Sequence, residues 1–228
     1  MIGMPAPRYY PLFLDLSRTK CLVIGAGAVG RRKIGLLLES GVRELLVLDP
    51  DLQDTASLPG HPALVFEARG FVPEDLAGCA LVFAVSGSRE ANAAIAAACA
   101  ERGIFCNCAD APLEGTCIVP ATARVGEMTL AISTGGASPA YARALRKELE
   151  GWLREKAPLA SLLGRIRPRL LALEKDTRHN TKLFRALVRS RLGAALAAKD
   201  ATRCEALLAA MLPEDLHPWI AEFLDGLV

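Results

Sequence analysis

Three groups of residues in this chain have types and spacings that could do chemistry. The first is the turn Gly25-Ala26-Gly27-Ala28-Val29-Gly30, set between a β-rich run and a helical one. In that setting the first glycine makes the turn, the second lets the backbone approach an anion, and the third lets helix and strand pack closely. Gly25, Gly27, Ala28, Val29 and Gly30 are therefore expected to cradle the pyrophosphate of a dinucleotide at a helix N-terminus. The second is Asp49, at the end of the next β-rich run, 19 residues after Gly30. There a carboxylate would accept hydrogen bonds from ribose hydroxyls and repel a 2′-phosphate, which favours NAD over NADP. A plain Asp49-Pro50-Asp51 turn is the competing reading. The third group is polar and lies later: Asn107 and Asp110 around the end of the last β-rich run, then Ser133, Thr134, Gly135, Gly136 and Ser138 at the start of a helix. A small polar turn at a helix N-terminus suits a carboxylate, although capping alone would account for Ser138, a core hydrogen bond for Asn107 and a turn for Asp110.

The elements that must position these groups are legible as an alternation. Apolar runs at 21–24, 45–48, 63–66, 81–85 and 104–107 alternate with helical stretches at 29–39 and 90–102, the pattern of parallel strands with crossover helices. Consecutive apolar residues in these runs imply a sheet covered on both faces. The connection 52–61 carries Pro59-Gly60 and is expected to be irregular. After Asp110 the pattern changes to a hairpin, 122–125 and 128–133 around Gly126-Glu127. A helix capped by Ser138 follows with Pro139 in its first turn, and from Leu145 onward the chain reads helical, punctuated by Pro158, Pro168, Pro213 and Pro218. The predicted fold class is α/β: a Rossmann-like parallel sheet (1–112), a hairpin-and-helix segment (113–147) and an all-helical C-terminal domain (148–228).

Charge is balanced overall, 27 basic against 25 acidic side chains, which argues against nucleic acid as a partner. Between Ala137 and Leu192, however, fourteen Lys or Arg stand against five Asp or Glu, and an anionic ligand would be sought there. Solvated helix faces are the plain alternative. Arg31, Arg32 and Lys33 oppose the dipole of the first helix, a small cost that makes sense if they face phosphate or ligand carboxylates; solvation again competes. Seven cysteines, mostly inside apolar runs, suggest reduced thiols in a cytoplasmic protein. Cys106-Asn107-Cys108 lacks the spacing of a zinc or redox pair, and its two thiols are expected on opposite faces of the strand, serving the core. No signal-peptide pattern and no apolar run near ~20 residues is seen, so no membrane span is expected.

Taken together, Gly25 to Lys33, the strand end Phe105 to Asp110 and Ser133 to Arg143 resemble the precorrin-2 dehydrogenase domain of siroheme synthases, with similarity beginning at Tyr10-Pro-Leu-Phe-Leu-Asp-Leu16. The resemblance implies NAD-dependent oxidation of precorrin-2 to sirohydrochlorin, with Asp110 as the catalytic carboxylate and Ser86 and Asn107 near the cofactor. It also implies that Arg32, Lys33, Thr116, the Ser133–Ser138 turn and Arg143 contact the poly-carboxylated substrate, with Arg146 and Lys147 close to that turn. A homodimer is implied, held by the hairpin-and-helix segment, with the helical tail helping to wall the substrate cleft. The methyltransferase domain fused to some members is expected to be absent. One departure stands out: where the family usually has Thr with acidic or amide residues after the fourth strand, this chain has Ser86-Gly87-Ser88.

Members differ in whether they also insert ferrous iron into sirohydrochlorin, a role that would again fall to Asp110. The three histidines, His61, His179 and His217, lie outside the motif loops, so no preformed metal site is expected. A non-catalytic sensor of NAD or tetrapyrrole is the alternative from another class, and the altered Ser86 loop is its support. An ordinary small-substrate NAD dehydrogenase is disfavoured by the lack of a catalytic His or Tyr-Lys pair.

Overall fold

The computed structural model describes residues 8–52, 55–173 and 176–228. They fall into two compact units, the first ending at Val119 and the second spanning Pro120–Val228. In the first unit the strands β1 (Lys20–Ile24), β2 (Glu44–Leu48), β3 (Leu64–Glu67), β4 (Cys79–Ala84) and β5 (Phe105–Cys108) form one five-stranded sheet of order β3-β2-β1-β4-β5. Every pairing in it is parallel. Helices α1 (Ala28–Glu39) and α2 (Arg89–Glu101) are its crossovers.

The chain winds outward from β1 to β3, then returns to add β4 and β5 on the other side. The C-terminal edges of β1 and β4 therefore flank the point where strand order reverses, the position at which open α/β sheets receive ligands. Both faces are covered, as the consecutive apolar runs required. Leu22, Ile24, Val82 and Ala84 pack on one face with Ile95, Ala96 and Cys99 of α2. Cys21, Val23, Leu81 and Phe83 pack on the other with Ile34 and Leu37 of α1. The irregular 52–61 connection contains a 3-10 turn at Thr55–Ser57, while residues 53 and 54 lie outside the described set. The thiols of Cys106 and Cys108 share one face, with sulfurs 3.9 Å apart, and both join the α2-side core. The expectation of opposite faces fails on the pleat itself, because residues two apart in a strand point the same way.

The second unit opens with the hairpin β6 (Ala121–Val125) and β7 (Met128–Ile132), which turns at Gly126 with φ +54°. Both strands pack on α3 (Pro139–Leu173), a single helix of 35 residues that runs through the boundary expected at 147/148. Pro158 and Pro168 lie inside α3 and do not end it. Each costs about 3 kcal/mol of helix stability. Full burial of Leu162, Ile166 and Leu170, at about 2 kcal/mol each, offsets that cost. The rest of this core comes from α4 (Thr177–Arg189), α5 (Leu192–Ala197), α6 (Ala201–Met211) and α7 (Ile220–Leu224), with Pro213 and Pro218 at and inside a 3-10 stretch before α7. No helix among the described residues is long and apolar enough to cross a membrane.

Candidate active site

The glycine turn joins β1 to α1. Gly25 has φ +103°, and a Cβ there would overlap the carbonyl of Val85, while a Cβ at Gly30 would overlap the carbonyl of Gly25. Both positions exclude side chains because the protein's own backbone occupies the space. Gly27 differs: no protein atom lies within 4 Å of where its Cβ would be. Gly27, Ala28 and Val29 are exposed, and α1 begins without a side-chain cap. Packing thus explains two of the glycines and leaves the third. At the third, bare backbone opens onto the uncapped N–H groups of a helix N-terminus, a cradle that fits a dinucleotide pyrophosphate.

Asp49 follows β2 and grips this turn. Its Oδ2 accepts from the Ala26 N–H at 2.6 Å, and its Oδ1 accepts from the N–H groups of Asp51 and Leu52 at 2.9 and 3.1 Å. The side chain is therefore both the turn former of the Asp-Pro-Asp segment and the clamp on the glycine loop. A carboxylate has about four acceptor positions, so about one remains for a ribose hydroxyl.

Beyond β4 and β5 the rim is organised by a residue that the sequence reading did not single out. Asn92, in the first turns of α2, is 1% exposed. Its Oδ1 accepts from the Ser86 N–H at 3.0 Å and from Ser86 Oγ at 2.8 Å. Its Nδ2 donates to the Ser86 carbonyl and to Asp110 Oδ2, both at 3.2 Å. Ser88, next in the same loop, caps α2 by accepting from the Ala91 N–H at 3.2 Å. The Ser86-Gly87-Ser88 segment is thus held by α2, and Ser86 spends its hydroxyl inward. A signal for Asn92 existed: it is the polar member of the helix face formed with Ile95, Ala96 and Cys99, and a buried amide must find partners.

Asp110 is exposed just past the end of β5, and among the described residues Asn92 makes its only side-chain hydrogen bond. Asn107 is 6% exposed and donates to the Cys117 carbonyl at 3.1 Å. Thr116 Oγ1 accepts from the Cys106 N–H at 2.8 Å. Both side chains fasten the segment after Asp110 along the free edge of β5.

The three cations of α1 separate. Arg31 folds back to the Ala26 carbonyl at 2.9 Å, and Arg32 is exposed. Lys33 is turned to the sheet, 6% exposed, with its ammonium 5.2 Å from the centre of the Phe83 ring. Burial, reinforced by Arg32, lowers its pKa to about 8.

In the second unit, the turn before α3 is built by its own hydroxyls. Ser133 Oγ accepts from the Gly135 N–H at 3.1 Å, Thr134 Oγ1 from the Ser138 N–H at 3.0 Å and Ser138 Oγ from the Tyr141 N–H at 3.2 Å. Gly135 and Gly136 take φ of +63° and +90°, which favours glycine at both. Arg143 is exposed, whereas Arg146 is paired with Glu150 at 3.1 Å. No three His, Cys, Asp or Glu side chains among the described residues stand where they could hold a metal ion.

Residues 12–121 match a family model described as putative NAD(P)-binding, and residues 125–151 match one described as the central region of a sirohaem biosynthesis protein. The chain is 34% identical over 212 residues to siroheme synthase 1 of Aeromonas salmonicida, covering 91% of this chain and 45% of that one. It is also 34% identical over 218 residues to the siroheme synthase of an Enterobacter species, covering 92% and 46%. The chain thus spans about half the length of the curated relatives it matches. A solved structure of SirC, a precorrin-2 dehydrogenase, shares the fold with a TM-score of 0.67 at 20% identity, covering 87% of this chain and all of that one. Over nine tenths of its length the chain is thus similar to about half of the siroheme synthases, the group its sequence resembled.

Proposed function

We propose that this chain oxidises precorrin-2 to sirohydrochlorin with NAD. The observation that carries the reading is the convergence of the bare Gly27 backbone, the Ser86 loop and the Asp110 carboxylate on the C-terminal edges of the adjacent strands β1, β4 and β5. In net terms precorrin-2 and NAD⁺ give sirohydrochlorin, NADH and a proton. Bound nicotinamide supplies the hydride acceptor. The chain supplies the rest: Gly27 and the start of α1 hold the pyrophosphate, and Asp49 keeps a carboxylate beside the ribose, which favours NAD. At Asp110, Oδ2 is engaged by Asn92, so Oδ1 is the oxygen presented to the substrate and takes its proton. The hydroxyl turn at 133–138 and Arg143 offer donors and a cation to substrate carboxylates. The working form is proposed to be a homodimer.

The test mixes purified protein with precorrin-2 and NAD and follows NADH and sirohydrochlorin. Asp110→Ala is expected to keep NAD affinity within about threefold and to lose turnover by about 1,000-fold. Wild-type protein that binds both ligands without forming NADH would instead establish a sensor. Adding ferrous iron to the product and comparing siroheme formation with and without protein decides whether metal insertion also belongs to it.

A further inference from the structure

We propose that Asn92 is the positioning residue of the reaction, coupling the loop after β4 to the Asp110 carboxylate so that cofactor loop and base move as one piece. The inference rests on the dehydrogenase reading above and deepens it.

A carboxamide can accept two hydrogen bonds and donate two. Asn92 finds a partner for each, all on the rim: it accepts from the Ser86 N–H and from the Ser86 hydroxyl, whose single proton it shares with the Ser88 carbonyl, and it donates to the Ser86 carbonyl and to Asp110 Oδ2. The amide has one workable orientation. Exchanging its oxygen and nitrogen would set the NH₂ against the Ser86 N–H and the oxygen against both the Ser86 carbonyl and Asp110. Its backbone is fixed as well, since α2 is anchored by the Ser88 cap and packs on the sheet through Ile95, Ala96 and Cys99. A buried, saturated and helix-borne donor thus holds one oxygen of an exposed carboxylate that has no other side-chain partner among the described residues. Without it, Asp110 would sample other rotamers at the loop tip, and the oxygen facing the substrate would no longer be specified. The same side chain fixes the Ser86 loop, which accounts for how this chain manages without the acidic or amide residues expected after its fourth strand.

Asn92→Asp keeps the shape and the acceptor for Ser86 but replaces the donor to Asp110 with oxygen. Its kcat is expected to fall about 30-fold, with KM for precorrin-2 and the NAD dissociation constant, read by fluorescence titration, each within about threefold. Because Asn92 acts through Asp110, the double variant Asn92→Asp/Asp110→Ala is expected to be no slower than Asp110→Ala alone. Asn92→Ala, which leaves room for water to satisfy Ser86, carries the same expectations and replaces the first variant if that one fails to fold. Full turnover in a folded Asn92 variant beside an inactive Asp110→Ala, or losses that multiply in the double variant, would overturn this inference alone. Full turnover in Asp110→Ala, or none in wild type, would remove the base assignment and this inference with it.

Discussion

The rim of the parallel sheet and the cationic helices of the second unit hold their charged groups in different ways. On the rim, Asp49 is fixed by three backbone N–H groups and Asp110 by a buried amide, so each carboxylate has one orientation set by the chain around it. In the helical unit, cations are spread by helical periodicity, and what separates them is whether a protein group already satisfies them. Arg146 and Arg154 share Glu150, and Arg169 lies over Trp219 and pairs with Glu222. Charge excess is therefore a weak guide to function, whereas the partner list of each cation is a strong one.

The contrast is sharpest within the glycine turn. Gly30→Ala must push its Cβ into the Gly25 carbonyl, so unfolding by urea without cofactor is expected to show a loss of about 3 kcal/mol or more. Gly27→Ala meets no protein atom and has ordinary backbone angles, φ −64° and ψ −173°, so its stability should fall by about 1 kcal/mol or less. Its NAD affinity should nonetheless drop at least about tenfold, because the methyl group fills the approach to the pyrophosphate. Unchanged NAD affinity in Gly27→Ala would mean that the turn is only structural.

What was legible in the sequence follows the same division. The five parallel strands, the two crossover helices and the hairpin fall within a few residues of their expected positions, because strand runs, helix caps and glycine turns are local signals. The role of Asn92 is not legible locally, because its partners Ser86 and Asp110 lie 6 and 18 residues away and meet only once β4 and β5 are adjacent. The continuity of α3 through two prolines was not legible, since it depends on burial supplied by α4 to α7. Nor was the inward turn of Lys33: its neighbours Arg31 and Arg32 stay at the surface, and only the helix phase against the sheet distinguishes the three.

Lys33 gives the next largest effect. Its folded pKa, about 8, lies below the ordinary 10.5, so the fold disfavours the charged form. The unfolded chain binds more protons between these values. The resulting deficit in stability is complete below about pH 8 and is relieved as pH rises toward 10.5. Lys33→Met is expected to gain about 2 kcal/mol at pH 7, a gain that shrinks steadily above pH 8 in urea unfolding curves. The buried thiols Cys21 and Cys79, pushed up to about 11, act in the opposite sense above about pH 9. They are common to both proteins and cancel in the difference. A pH-independent gap would show that the ammonium finds compensation within the fold.

The smallest effects separate the two kinds of arginine in the helical unit. Arg165 donates from Nη1 to the carbonyls of Phe223 at 3.0 Å and Asp225 at 2.6 Å, closing the C-terminal end of α7. Arg185 on α4 lines a cavity of about 330 Å³ together with Arg167 and Arg189, and no acidic residue among the described residues lines it. Arg165→Gln is expected to cost about 1 kcal/mol in stability and to leave KM for precorrin-2 unchanged. Arg185→Gln should leave stability within about 0.5 kcal/mol, because Arg185 is exposed and loses no hydrogen bond or ion pair among the described residues. If the cavity arginines attract substrate carboxylates, Arg185→Gln should raise KM about threefold with kcat constant, the signature of binding shared by ground and transition states. A variant with wild-type KM would assign the cavity cations to solvation and leave the hydroxyl turn at Ser133–Ser138 and Arg143 as the proposed carboxylate contacts of this unit.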